Sequence, residues 1–179
     1  MKKVIVITGD LASGKSSLAD SLSLKLSIPA FKKDVIKEHY CDLYGYQTRE
    51  ENRALSIKAT DYMIDAFKQF AKQGNELILE ANFRTGEMIK IKEVADEYDY
   101  DVRLLVLRGD IEILYKRFMD RLPGRHKAHM SLHLDESIEK FKEYIDEQRK
   151  EDVVFLPHII DTSKKSADEI LQIALEKCK

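Results

Sequence analysis

The chain has 179 residues and a formal net charge of -2, because 30 lysines and arginines stand against 32 aspartates and glutamates. This length suffices for a hydrophobic core, and we expect residues 1–179 to form a single domain. The balanced charge argues against a general nucleic-acid coat or a membrane-surface module, but it allows a local basic pocket. Two cysteines cannot build a disulfide framework, and no apolar run is long enough to span a membrane, so we expect a soluble cytoplasmic protein.

Short runs of β-branched residues alternate along the chain with longer stretches of helical periodicity. This alternation is typical of an α/β protein with a parallel sheet. The predicted strands are residues 3–8, 29–32, 77–79, 102–107 and 158–160. The predicted helices are residues 15–28, 35–44, 50–73, 88–98, 111–118, 135–150 and 167–175.

The longest predicted helix, residues 50–73, has an apolar stripe that we expect to face the core. The stripe consists of Leu55, Ala59, Tyr62, Ala66 and Phe70. The next residue after this helix is a glycine, Gly74, at a position typical of a C-terminal cap. Before the helix that follows the fourth strand, Asp110 is the predicted N-cap.

Residues 9–16 match the phosphate-loop pattern G-x-x-x-x-G-K-[ST]. They follow the first strand and open a helix, so backbone N–H groups and the positive helix end can surround a polyphosphate. A chance glycine-rich turn is the alternative, and this context argues against it. Lys15 is expected to reach the β- and γ-phosphates, and the Ser16 hydroxyl to bind Mg²⁺. The residues predicted to contact the nucleotide are Gly9, Leu11, Ala12, Ser13, Gly14, Lys15, Ser16 and Ser17.

Carboxylates follow the second and third strands, whose C-terminal ends should face the ligand crevice of a parallel sheet. Asp34 is the candidate base that accepts the proton of a substrate hydroxyl; a helix N-cap is its alternative role, and both can hold at once. Glu80 is the candidate ligand of Mg²⁺, directly or through water, and an ion pair with the loop lysine or an arginine is its alternative. Lys37, Asn82 and Arg84 are predicted to bind the substrate, although the two cations suit a solvated surface equally well.

Three arginines cluster after the fourth strand. Arg117 and Arg121 lie one helical turn apart, residues 123–124 (Pro-Gly) break the helix, and Arg125 follows in a loop. Arginines that close from a mobile loop can neutralise a phosphoryl group and exclude water. We therefore predict a helical arginine lid over residues 117–135, in which Arg121 and Arg125 are catalytic. A basic helix end that suits the helix dipole is the alternative.

Three histidines, His126, His129 and His133, lie in the same segment close to Asp135. By number they could form a metal site, but the segment is irregular and contains no cysteine. A polar lid surface is the favoured interpretation, and the pattern assigns the histidines no further role.

Together, residues 9–16, Asp34, residues 80–82 and the three arginines resemble the small, lid-bearing P-loop kinases related to adenylate, gluconate and shikimate kinases. The chain is most similar to the kinase-like ATPases grouped with zeta toxins, chloramphenicol phosphotransferase and the kinase domain of polynucleotide kinase. The resemblance implies a three-layer αβα P-loop NTPase fold with a five-stranded parallel sheet in the order 2-3-1-4-5. It also implies ATP as donor, Mg²⁺ as cofactor, and nucleotide contacts from Arg117 and from a loop beside the adenine that contains Thr162 and Ser163.

These features favour an ATP-dependent phosphotransferase that moves the γ-phosphate to a hydroxyl of a small molecule. The alternatives are a polynucleotide or nucleoside 5′-hydroxyl kinase, a toxin-like nucleotide-sugar kinase, and a nucleotide-gated switch or binding module. The chain has no N-K-x-D guanine motif, which disfavours a GTPase. A nucleic-acid partner would need a basic channel, for which Lys32, Lys33, Lys37 and Arg84 are candidates, and the net charge does not favour it. The acceptor and the oligomeric state stay open at this point.

Overall fold

A five-stranded parallel sheet forms the middle layer of the protein in the computed structural model, which describes residues 1–129, 133–151 and 154–179. The strands are β1 (Lys2–Gly9), β2 (Ala30–Lys32), β3 (Leu77–Glu80), β4 (Tyr100–Arg108) and β5 (Pro157–Asp161). Their order across the sheet is β2-β3-β1-β4-β5, and every neighbouring pair is parallel. The predicted sheet order is confirmed.

Seven α-helices connect and cover the strands in the described residues. They are α1 (Lys15–Leu26), α2 (Lys33–Tyr44), α3 (Arg49–Lys72), α4 (Thr85–Tyr98), α5 (Ile111–Arg121), α6 (Ile138–Arg149) and α7 (Ala167–Lys177). A short 3₁₀ turn, Leu122–Gly124, follows α5. Within the described part of the chain, no helix has both the length and the apolar character required to cross a bilayer.

Alternate side chains of the strands enter two separate hydrophobic cores. On one face, Val4 and Val6 of β1 pack with α3 and α4. On the other face, Ile5 and Ile7 pack with α1 and α7. Because helices cover both faces, the strands are apolar on both sides, which explains their uninterrupted apolar sequences. The result is the predicted three-layer α/β arrangement.

A third apolar cluster lies outside these two cores and joins the phosphate loop to α5 and α6. Its buried members are Ala12, Leu114, Phe118, Leu134, Phe141 and Ile145, and Leu11 packs against them. The loop is therefore held at one end of the sheet by the two helices that flank the arginine segment.

The predicted core stripe of α3 is confirmed for Ala59, which is buried, and for Phe70, which packs against the core, but it is wrong for Tyr62. The buried face carries Met63, Ile64 and Phe67, whereas Tyr62 is 49% exposed. Apolar residues occur on more than one side of this helix, so the periodicity alone cannot choose a face. Tyr62 instead makes tilted and edge-on ring contacts with Phe31 and with an α2 tyrosine, at the outer edge of the molecule.

Two predicted helix starts are also corrected. Helix α2 begins at Lys33, so Asp34 lies in its first turn and the N-cap alternative for Asp34 is wrong. Helix α6 begins at Ile138 because the Ser137 hydroxyl caps it, later than the predicted start at residue 135. The Asp110 cap of α5 is confirmed, since its carboxylate accepts two backbone N–H groups.

Candidate active site

The phosphate loop turns sharply between β1 and α1. Gly9 has φ 123° and Gly14 has φ 90°, a region of backbone conformation that favours glycine. A Cβ at Gly9 would lie only 2.0 Å from the Leu107 carbonyl oxygen of β4. The two glycines thus allow the tight turn that the motif predicts. Ala12 lies buried at its apex, with φ 65°.

Lys15 is buried at the start of α1, and its ammonium turns back onto the loop. Nζ donates to the carbonyls of Gly9 at 3.1 Å and Asp10 at 2.7 Å. Burial lowers the pKa of Lys15, and the carboxylates of Glu80, Asp34 and Asp10 oppose that shift. Among the described residues, no carboxylate oxygen is within ion-pair distance of Nζ, so this cation is available to an anionic ligand.

Ser16 and Glu80 lie in direct contact beneath the loop. The Ser16 hydroxyl donates to Glu80 Oε2 at 3.0 Å. Burial raises the pKa of the Glu80 carboxyl, and the negative charge of Asp34 raises it further, whereas Lys15 and the Ser16 hydroxyl lower it. A hydroxyl and a carboxylate form the kind of oxygen donor set that Mg²⁺ prefers, so these two residues fit the predicted metal. The ion-pair alternative for Glu80 is not realised as a contact, although the field of Lys15 reaches it.

Asp34 lies in the first turn of α2, with its side chain 65% exposed. Its charge acts on three groups around the loop, since it raises the pKa of Lys15 and Glu80 and opposes the lowered pKa of Arg121. Lys37 lies one turn further along α2. Burial lowers the pKa of Lys37, and the field of Asp34 opposes that shift. The structure thus brings the candidate base to the same side of the molecule as the phosphate loop.

The segment after α5 rests on α2 through its histidines. His129 Nε2 lies 2.6 Å from Glu38 Oε1, and His129 Nδ1 lies 4.0 Å from Asp34 Oδ1. His126 Nε2 lies 3.2 Å from Asp42 Oδ2. Each of these two histidines therefore contacts a carboxylate of α2, and His129 also approaches the candidate base, Asp34.

Backbone groups of the same segment are also held. The buried Asn52 amide of α3 donates to the Ala128 carbonyl at 3.0 Å, and the Tyr46 hydroxyl donates to the Lys127 carbonyl at 2.5 Å. Residues 130–132 of the predicted lid lie outside the described residues. His133 Nδ1 pairs with Glu136 at 2.6 Å, and among the described residues no three His, Cys, Asp or Glu side chains are arranged to hold a metal ion.

Two of the three predicted lid arginines, Arg121 and Arg125, lie close enough for their charges to interact, and the charge of Asp34 also reaches Arg121. Desolvation lowers the pKa of the Arg121 guanidinium, and the charges of Arg125 and Arg117 lower it further. The guanidinium of Arg125 lies 5.4 Å from the centre of the Phe118 ring, a distance typical of a cation–π contact. The charge of Asp34 opposes the lowered pKa of Arg121, and the Arg121 Nε donates to the Arg117 carbonyl at 3.3 Å.

Arg117 has a different environment, at the end of β5. It donates to the Thr162 carbonyl at 2.9 Å and to the Thr162 hydroxyl at 3.4 Å. That hydroxyl donates in turn to the Arg108 carbonyl, and the Ser163 hydroxyl accepts the backbone N–H of Asp110 at 2.8 Å. The predicted nucleotide contact of Arg117 and the predicted adenine-side position of Thr162 and Ser163 stay predictions, and the polar groups of these side chains already bind the protein itself.

Asn82 and Arg84 follow β3 at the same edge of the sheet. Asn82 Oδ1 is buried and has no hydrogen-bond partner among the described residues. Burial raises the pKa of the nearby Tyr144 phenol of α6, while a hydrogen bond with Asn82 and the charge of Arg84 lower it. An acceptor atom left unpaired in a buried position is costly, which suits a site completed by a donor group of a ligand. Sequence reasoning missed Tyr144, because nothing in its helix pattern separates it from a core residue.

Arg149 is the largest omission of the sequence analysis. It donates from Nε to Asp10 Oδ1 at 3.1 Å, from Nη2 to Asp10 Oδ2 at 2.6 Å, and from Nη2 to the Gly109 carbonyl at 2.9 Å. Asp10 is only 2% exposed. A charged residue inside the phosphate-loop motif was the one available signal, but its partner lies 139 positions away in the sequence.

Comparison with known families fits this geometry. The profile of a protein family described as an AAA domain matches residues 5–142 of the 179. The chain belongs to this AAA-domain family. Membership implies that the loop of this AAA-domain protein binds a nucleotide. No curated protein sequence matches the chain at a significant level.

Solved structures share the fold of this AAA-domain protein. A candidate kinase from Chloroflexus aurantiacus is 21% identical, with a TM-score of 0.80 over 99% of this chain and 96% of that one. A gluconokinase from Sinorhizobium meliloti is 15% identical, with a TM-score of 0.63 over 98% and 90% of the two chains. A shikimate kinase from Aquifex aeolicus is 17% identical, with a TM-score of 0.61 over 98% and 95%. At these identities the likeness establishes a shared P-loop kinase fold.

Proposed function

We propose that the protein is an ATP-dependent kinase that transfers the γ-phosphoryl group to a hydroxyl of a small molecule. The observation that carries the proposal is the position of Asp34 opposite the phosphate loop, where its charge acts on Lys15, Glu80 and Arg121. Structures that share the fold include proteins described as gluconokinase and shikimate kinase, which supports the same class of reaction.

The donor side of the reaction is assigned to the phosphate loop. Backbone N–H groups of the loop and the Lys15 ammonium bind the β- and γ-phosphates. Ser16 and Glu80 would hold Mg²⁺, which when bound would offset part of the charge of the phosphates. Lys15 needs no large rearrangement for this role, because its hydrogen bonds are to carbonyls of its own loop.

The acceptor side is assigned to Asp34. Its carboxylate accepts the proton of the substrate hydroxyl while the hydroxyl oxygen forms a bond to the γ-phosphorus. The bond from that phosphorus to the bridging oxygen breaks, and ADP leaves with the bonding electrons. Arg121 and Arg125 neutralise the negative charge on the transferring group. Asn82, Arg84 and Lys37 line the acceptor side in this proposal.

A small-molecule acceptor is favoured over a polynucleotide by the basic residues themselves. Lys32 lies 2.7 Å from Asp20, and Lys33 lies 3.4 Å from Glu87. Two of the four cations that could line a nucleic-acid channel are thus neutralised by carboxylates, which weakens any phosphate-backbone binding.

Replacing Asp34 by Asn tests the proposal. With labelled ATP and a panel of hydroxyl-bearing metabolites, antibiotics, nucleosides and 5′-hydroxyl oligonucleotides, wild-type protein should transfer label to at least one compound. The variant should keep its affinity for ATP and lose about 10²- to 10⁴-fold in kcat, the usual contribution of a general base.

The Asp61→Asn variant is the matched control, because Asp61 pairs with Lys90 at an exposed position of α3. It should leave transfer unchanged. Transfer at the wild-type rate by the Asp34 variant would remove the assigned base. Label that reached only water across the whole panel would instead favour the nucleotide-gated switch.

A further inference from the structure

Asp10 binds other residues through both its backbone carbonyl and its side-chain carboxylate. Its carbonyl accepts hydrogen bonds from Lys15 Nζ and from the Ser13 hydroxyl, both at 2.7 Å. Its carboxylate accepts the Gly109 backbone N–H at 3.0 Å and two bonds from Arg149. One residue therefore connects the loop lysine to groups that lie outside the loop.

The Asp10–Arg149 pair is more than a surface ion pair. The aspartate side chain is 2% exposed and the arginine side chain 29%, and the guanidinium grips both carboxylate oxygens. Bidentate pairs of this kind fix orientation as well as charge. Removing one partner leaves a buried carboxylate uncompensated, so the loop would have to rearrange around it.

A second contact links the same helix to the same loop. Phe141 and Ile145 of α6 pack with Ala12 at the loop apex, while Arg149 at the end of α6 holds Asp10 at its base. The helix thus touches the loop at two places. Because helix α6 makes both an ionic and an apolar contact with the loop, the loop has little freedom to change its conformation.

We propose that Arg149 is a positioning residue, which sets the shape of the phosphate loop through Asp10 and thereby places Lys15 for the nucleotide. This inference rests on the proposed function only in taking a nucleotide as the ligand of the loop. Without Arg149 the Asp10 peptide can rotate, and the carbonyl that orients the Lys15 ammonium moves with it. Loop N–H groups that would bind the phosphates lose their arrangement at the same time.

The test measures nucleotide affinity by calorimetry, with ADP and a non-hydrolysable ATP analogue as the probes. Replacing Arg149 by Gln should weaken both by on the order of 10- to 100-fold, the range expected when a charged hydrogen-bond partner is lost. Asp10→Asn should have an effect of similar size. The double variant should bind nucleotide no more weakly than the weaker-binding of the two single variants, because both substitutions break the same interaction.

Arg103→Gln is the matched control, since Arg103 pairs with Asp101 at 2.7 Å and is similarly exposed, at 31%, but lies away from the loop. It should change thermal stability without changing nucleotide affinity. Arg149→Lys keeps the charge and one bond to Asp10, so it should restore part of the affinity. In this variant the KM for ATP should rise while kcat at saturating ATP stays within about 3-fold of the wild type.

The inference would be overturned if Arg149→Gln bound nucleotide as tightly as the Arg103→Gln control, even if Arg149→Gln melted at a lower temperature. Should Arg149→Gln fail to fold, Arg149→Lys and Asp10→Asn decide the matter by the same affinity measurement. The outcome is separable from that of the proposed function: a protein that binds ADP but phosphorylates no acceptor still gives the affinities compared here. Wild-type protein that bound no nucleotide would overturn both.

Discussion

The phosphate loop and the acceptor side of the crevice are built by different means. In the loop, Lys15 and Ser13 bind carbonyls of their own segment, and the side chain of Asp10 is almost completely buried. On the acceptor side, Asp34 is 65% exposed, and His129 joins two elements that are distant in the sequence. The phosphate site is formed mainly by the backbone, whereas the acceptor site is formed by side chains from elements that are distant in the sequence.

This difference explains which substitutions each side tolerates. A backbone site depends on conformation and close packing, so a single methyl group in the wrong place can destroy it. A side-chain site depends on the charge and length of its side chains, so a substitution there reduces catalytic activity while the fold is kept. Four substitutions test this distinction between a backbone site and a side-chain site, and they follow in order of decreasing effect.

Gly9→Ala should have the largest effect. The new Cβ would meet the Leu107 carbonyl at 2.0 Å in a backbone conformation unsuited to alanine. We expect the free energy of unfolding to fall by about 3–5 kcal/mol, which combines overpacking and positive-φ strain. Urea denaturation measures it. Gly86→Ala in α4 is the control, because nothing lies within 4 Å of its Cβ position; an equal loss there would refute the close-packing argument.

Arg121→Ala should leave the fold intact and slow catalysis. Loss of one donor to a transferring charged group costs about 10²- to 10³-fold in kcat. Steady-state kinetics with the acceptor identified by label transfer would measure this, and circular dichroism would verify folding. Arg53→Ala, at an exposed position of α3, is the matched control. Equal kcat values in the two variants would mean that Arg121 is only part of a basic helix end.

Asn52→Ala should release the segment that carries Arg125. It leaves the Ala128 carbonyl without the amide that now satisfies it in a buried position. We expect about 1–3 kcal/mol less stability for the docked segment, seen as faster trypsin cleavage after Arg125 and Lys127. Asn75→Ala, in an exposed turn, should leave cleavage unchanged. If trypsin cleaves the Asn52→Ala variant no faster than the wild type, the ion pairs of His126 and His129 are sufficient to hold the segment in place.

Glu80→Gln should have the smallest effect on the fold, and in the stabilising direction. Burial raises the pKa of Glu80, so its folded-state pKa lies above the unfolded value and ionisation opposes folding. Stability contributed by the protonated form is complete below the unfolded pKa and is lost as pH rises through the folded pKa. The Gln variant should therefore melt at a higher temperature than wild type at pH 7, and the difference should vanish below about pH 4.

The same substitution should weaken Mg²⁺-dependent nucleotide binding, since the amide replaces an anionic ligand. For the wild type, Mg²⁺ dependence should decline as pH falls through the raised pKa of Glu80. Thermal melts and calorimetry across pH 4–8 measure the two effects. A lower melting temperature at pH 7 would show that the Ser16 contact outweighs the cost of burying the charge.

Sequence was sufficient where structure is local. The strands themselves and the phosphate-loop turn follow from apolar runs and from glycines at fixed spacing. The order of the strands in the sheet is long-range and came from the resemblance to the lid-bearing P-loop kinases. The buried face of α3 could not be predicted, since Tyr62 and Met63 are both apolar enough to pack and only the neighbouring elements select between them. The Asp10–Arg149 pair depends on long-range packing, which no spacing in the sequence records. The same is true of the Asn82 oxygen, which has no partner in the part of the chain that the structure describes.

The distance along the chain between Asp10 and Arg149 has a consequence for the order in which the protein becomes competent during synthesis. The ribosome releases the N-terminal strand and its glycine-rich turn long before α6 exists. A nascent chain that ends before residue 149 contains the whole nucleotide motif but lacks the guanidinium that grips its aspartate. Under the role proposed for Arg149, tight capture of nucleotide would therefore begin only after most of the polypeptide has emerged.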